Sequence, residues 1–92
     1  MLNKIMIEKM YEGMEEEDIT IYWRKDEGSP VQEGEIILDA ETFKSTFEIP
    51  ASATGFLRKK CIENGQEVKI NMTIGIISDS LEQELDESEC IS

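Results

Sequence analysis

This chain has few places where chemistry could reside. It contains no histidine, so the commonest general base and metal ligand is missing. Its two cysteines, Cys61 and Cys90, stand far apart with no CxxC spacing. The segment with chemical promise is Glu41-Thr42-Phe43-Lys44-Ser45, a short step between two alternating apolar runs. A lysine there belongs on a hairpin tip, where another protein can enclose its amine or attach a group to it. Taken alone, Lys44 reads as a solvated turn residue. Its surroundings decide otherwise.

The elements that would position this lysine are strands. Ile19, Ile21 and Trp23 alternate with Thr20, Tyr22 and Arg24; Ile36, Leu38 and Ala40 alternate with Ile37, Asp39 and Glu41. Ile5 and Ile7, Phe47 and Ile49, Phe56 to Arg58 and Thr73 to Ser78 add further short β-rich runs. A period of two separated by turn-rich segments predicts an all-β sandwich or barrel of about eight strands. Gly28, Val31 and Gly34 recur as Gly65, Val68 and Asn71, an offset of 37 residues. Asn tolerates the left-handed conformation that Gly adopts freely, so the exchange is physically sensible. The repeat predicts two quasi-equivalent halves related by a pseudo-two-fold axis. The expected core is Ile5, Ile7, Ile21, Val31, Ile36, Leu38, Ile49, Val68, Ile74 and Ile76.

Ninety-two residues make one domain with a thin core. Residues 1–79 carry the strands, and 80–92 read as an acidic tail or linker start, too polar to pack. The net charge of −12 argues against nucleic acid, whose phosphates need a basic patch. So much acid serves solubility or the docking of a basic partner. Glu15-Glu16-Glu17-Asp18 concentrates it in the first loop, while Arg58-Lys59-Lys60 reads as a strand edge guarded by charge. No stretch approaches a membrane span. The cysteines could pair, but nothing in the sequence requires it, and the expected location is the cytoplasm.

With these residues in view, the chain resembles the lipoyl and biotinyl carrier family. Glu41-Thr42-Phe43-Lys44 is similar to the Glu-Thr-Asp-Lys step of lipoyl domains of 2-oxo acid dehydrogenase complexes. Trp23, Glu27-Gly28, Val31 and Gly34-Glu35 match an upstream run, and Ile49-Pro50-Ala51, Gly55-Phe56-Leu57 and Glu63 to Val68 match downstream. Phe43 departs from the usual Asp; the related glycine cleavage H protein has an apolar residue there, and biotin carriers have Met-Lys-Met. The resemblance implies a flattened barrel-sandwich hybrid of two four-stranded antiparallel sheets, with lipoate attached covalently to Lys44 and Glu41, Thr42, Phe43 and Ser45 read by the attaching enzyme. It also places the first loop near the lysine hairpin, where it helps the decarboxylase choose its carrier. The implied role is a non-enzymatic carrier that shuttles acyl groups and electrons within an acyltransferase-type complex. Its implied partners are a lipoate ligase or lipoyl transferase and thiamine-diphosphate decarboxylase, acyltransferase and flavin dehydrogenase components. The alternatives are a biotin carrier using the same lysine, or an unmodified interaction module.

Overall fold

The computed structural model describes residues 2–82, 84–85 and 87–90. Positions 83, 86, 91 and 92 of the expected acidic tail lie outside these. The alternating runs become β1 (Leu2–Ile5), β2 (Ile19–Trp23), β3 (Pro30–Val31), β4 (Ile36–Glu41), β5 (Thr46–Pro50), β6 (Gly55–Lys60), β7 (Glu67–Val68) and β8 (Gly75–Ser78). They form two four-stranded sheets ordered β1-β8-β6-β3 and β5-β4-β2-β7, with every pairing antiparallel. Exchanging β1 with β5, β8 with β4, β6 with β2 and β3 with β7 converts one order into the other. The expected all-β, two-fold architecture is therefore present, as two facing sheets rather than a closed barrel.

The 37-residue repeat has a clear physical basis. Gly34 and Asn71 both take positive φ, +92° and +66°, which an unbranched or absent side chain permits at low cost. Each then turns its N–H onto another connection between the sheets, Gly34 to the Ala51 carbonyl (2.9 Å) and Asn71 to that of Ile7 (3.0 Å). Val31 and Val68, three residues earlier, are both buried between the sheets. Trp23 joins the halves differently. Its indole N–H donates to the Ile62 carbonyl and its backbone N–H to Asn64 Oδ1, each at 2.7 Å.

Nine of the ten expected core residues are buried; Ile36 is half-buried and Ile37 takes its place. The cause is a register shift in β4, where Ile36 faces Pro50 but Leu38 faces Ile49. Such a bulge inserts one residue and breaks the period of two. Met14, unclaimed by any alternation, is also fully buried, delivered by a single 3-10 turn over Met14–Glu16 in the β1–β2 loop. At Gly55 the sheet leaves no room for a side chain, since a methyl group would meet the Ser78 carbonyl oxygen. Of the basic run, Lys60 has its backbone N–H answered by a Glu27 carboxylate at 2.7 Å, beyond the end of two-residue β3.

The cysteines, left open by the sequence, form a disulfide between Cys61 and Cys90. It returns the acidic tail, with its 3-10 turn at Glu87–Cys90, to the outer face of the first sheet. Ile76 is buried there, outside the main apolar cluster, and shares a cavity with Lys59, Lys60, Leu85 and both cysteines. The tail thus covers a residue that the sheet alone would expose.

Val31→Ala and Val68→Ala should each lower stability by about 2–3 kcal/mol, because each removes two methyls from a fully packed layer. Urea denaturation checks this, and the pseudo-symmetry predicts closely similar losses.

Candidate functional site

β4 and β5 are joined by a four-residue turn, Thr42 to Ser45, with Phe43 and Lys44 at its tip. Tight hairpins commonly place residues at positive φ there. Neither Phe43 nor Lys44 does so. The turn is closed instead through Thr42. Its N–H donates to the Ser45 carbonyl (2.8 Å), its hydroxyl donates to the same oxygen (3.1 Å), and it accepts the Ser45 N–H (3.1 Å). The Thr42 hydroxyl therefore accepts the Ser45 N–H where a hairpin usually offers a backbone carbonyl, while the backbone supplies the reverse bond. Thr42 is buried, whereas Lys44 and Ser45 are exposed and Phe43 is 84% exposed.

The β1–β2 loop lies against this turn. The Tyr11 hydroxyl donates to Thr42 Oγ1 at 2.9 Å. Its ring stacks on Phe47 of β5, 6.1 Å between centroids, and the Lys44 ammonium sits 4.8 Å over its face. Burial, and then the neighbouring Glu17 carboxylate, push the Tyr11 phenol above its ordinary range, while the Thr42 contact opposes them. Lys69 pins the loop from the other side, pairing with Asp18 (2.9 Å) and donating to the Glu16 carbonyl (3.0 Å). Beside the tip lies an open groove lined by Glu16, Glu17, Asp18, Glu41, Glu67 and Phe43. Arg24 braces the strands beneath, donating to Asp39 and Glu48 across β2, β4 and β5.

Each site residue read from the sequence lies at this one corner. Lys44 projects from the tip with Phe43 beside it, Thr42 closes the turn, and Glu41 and Ser45 flank it. The acidic first loop also reaches the corner. Missed were Tyr11, which ties the loop to the turn, and Lys69, which holds the loop from the far side. The available signal for Tyr11 was the one aromatic residue of the β1–β2 connection, with no strand to claim it. Among the described residues no helix is long and apolar enough to cross a membrane, and no acidic or cysteine cluster has metal-binding geometry.

The corner thus presents an exposed lysine on a hairpin turn that the β1–β2 loop braces through Tyr11. The protein family described as Biotin-requiring enzyme, the biotin/lipoyl family, matches residues 5–77. The chain belongs to that family. It is 40% identical over 65 residues to the dihydrolipoyllysine-residue acetyltransferase component of the pyruvate dehydrogenase complex of Rickettsia felis, covering 70% of this chain and 16% of that protein. It is 32% identical over 76 residues to the dihydrolipoyllysine-residue succinyltransferase component of the 2-oxoglutarate dehydrogenase complex of Bacillus subtilis, covering 83% and 18%. The pyruvate dehydrogenase E1 component subunit beta of Rhizobium meliloti is 38% identical over 63 residues, covering 67% and 14%. The chain thus spans less than a fifth of each of these relatives.

Two outcomes follow from the corner's bonding. Thr42→Val keeps shape but strips the Tyr11 hydroxyl and the Ser45 N–H of their partner, so urea stability should fall by about 1–3 kcal/mol. The Tyr11 phenol, held protonated by the fold, should make stability decline as pH rises from the ordinary tyrosine value of about 10 through its higher folded value. Below that window its contribution is constant. Alkaline denaturation of the wild type against Tyr11→Phe, which lacks the group, reads the difference.

Proposed function

We propose that this chain is a lipoyl carrier domain, with residues 1–79 as its body, 80–92 as an acidic tail, and lipoate joined to Lys44 through an amide. The observation that carries the reading is the position of Lys44 at an exposed tip that is nonetheless rigidly closed beneath it. The site fits such a group, since the flanking Phe43 and Ser45 are also exposed and leave the amine accessible.

Attachment needs little from the chain itself. The neutral Lys44 amine attacks an acyl adenylate supplied by a ligase; the N–C bond forms, the acyl–phosphate bond breaks, AMP leaves, and the nitrogen's proton passes to solvent. When bound, the lipoyl group supplies a disulfide that accepts and releases acyl groups and electron pairs. The chain's contribution is presentation. A tether of fixed origin raises the arm's effective concentration at each active site it can reach, with no tight interface. The partners in this reading are a lipoate ligase or lipoyl transferase, then thiamine-diphosphate decarboxylase, acyltransferase and flavin dehydrogenase components. The domain itself catalyses nothing.

Lipoate is favoured over biotin because Glu41 and Thr42 precede the lysine and because the acyltransferase relatives are named for a lipoyllysine residue. Phe43 gives the ligase apolar area in place of a carboxylate handle, worth about 1–2 kcal/mol if half buried on binding. Incubation with lipoate, ATP and a lipoate ligase should add one lipoyl mass to the wild type and none to Lys44→Arg, which should remain folded. Phe43→Asp should speed the reaction with a ligase from a distant organism, and Phe43→Met with Ser45→Met should shift acceptance toward biotin ligase. Modification at Lys25, Lys59 or Lys60, or rapid biotinylation of the wild type without lipoylation, would overturn the assignment.

A further inference from the structure

Most lysines of this chain are held by carboxylates: Lys9, Lys25, Lys60 and Lys69 all form ion pairs. Lys44 is different. Among the described residues it has no ion-pair partner, and its ammonium rests instead over the Tyr11 ring. That ring is the fixed member of the pair. Its hydroxyl is bonded to Thr42, its face is stacked on Phe47, and its backbone carbonyl accepts the Met14 N–H. The lysine is the mobile member, a four-carbon stem on an exposed turn.

We propose that Tyr11 is the positioning residue for Lys44, holding the charged side chain against its ring before modification and releasing it once the ammonium becomes a neutral amide. The inference rests on the reading of Lys44 as the attachment site. The physical basis is that attraction to a ring face needs a full positive charge near the ring's negative quadrupole. At an exposed site such a contact biases the population by about two- to five-fold. That is enough to restrict where a ligase finds the amine, and weak enough for the ligase to lift it away. An amide nitrogen carries no net charge, so the same reaction that loads the arm also removes its restraint. The hydroxyl of Tyr11 has a separate task, since its bond to Thr42 is unaffected by the charge on Lys44.

The test reads the ε-methylene of Lys44 by NMR in the full chain, because protons over an aromatic face shift upfield. In the unmodified wild type this signal should lie upfield of that of Lys4, an exposed lysine. It should stay upfield in Tyr11→Phe, which keeps the ring, and move to the Lys4 position in Tyr11→Leu. The chain carrying Nε-acetyllysine at position 44 should also lose the shift. A Lys44 signal coincident with that of Lys4 in the wild type, or an upfield shift that survives acetylation, would overturn the proposal. If Tyr11→Leu fails to fold, the wild type and the acetylated chain still decide. Peptide mapping by mass after ligation, which locates the modified lysine, separates the two readings. A chain that shows the shift but takes lipoate on another lysine overturns the attachment assignment and the release step with it, whereas absence of the shift in the unmodified wild type overturns the role of Tyr11 alone.

Discussion

Two four-stranded sheets here share one layer of apolar side chains, and neither sheet could keep that face dry by itself. A chain of this size buries only about 60–65% of the surface it exposes when unfolded, so the shared layer has no second tier behind it. Much of the sequence follows from that. Isoleucine and valine stiffen the strands and fill the layer, and the left-handed corners at Gly34 and Asn71 bring each connection back over the opposite sheet. Trp23 spans the gap and fixes its indole proton on Ile62. Rigidity at the Lys44 corner is inherited from this layer, because β4 and β5 cannot tilt without opening it.

The body is nearly symmetric, and the exception is informative. The connection between β1 and β2 runs over positions 6–18, whereas its counterpart between β5 and β6 occupies only 51–54. The additional length brings Met14 into the core, Tyr11 beneath the turn and an acidic stretch to the groove beside it. A symmetric scaffold therefore acquires a working corner by lengthening one loop. Within that corner the work is divided. Thr42 takes the Ser45 N–H on its hydroxyl, Tyr11 links loop to turn, and Phe43 and Lys44 are left exposed at the tip.

Much of this was legible in the residues. Alternation and the 37-residue repeat are local or periodic signals, and they carried the sheets, the valine plugs and the Gly-to-Asn equivalence. The hairpin turn that carries Lys44 was legible because alternating runs flank it on both sides. What escaped were features that depend on register or on distant partners. Ile37 displaced Ile36 through a bulge, which no period of two can announce. Tyr11 meets Thr42 across 31 positions, and Cys61 meets Cys90 across 29; neither pairing leaves a trace in local pattern. The burial of Ile76 is of the same kind, since its cover arrives from the tail.

The pairing of Leu2 with Ser78 has the same place in the first sheet that Glu41 with Thr46 has in the second. At one corner the paired strands are bridged by the lysine-bearing turn; at the other they lie side by side with no direct bridge. The eight strands thus form a ring open at one point, and a short turn joining Ser78 to Leu2 would complete it. From the closed ring the chain could be cut at the Lys44 corner instead, giving a circular permutant with its opening where the lysine now stands. Topologically the two corners are equivalent, and what sets the lysine corner apart is the longer loop that reaches it.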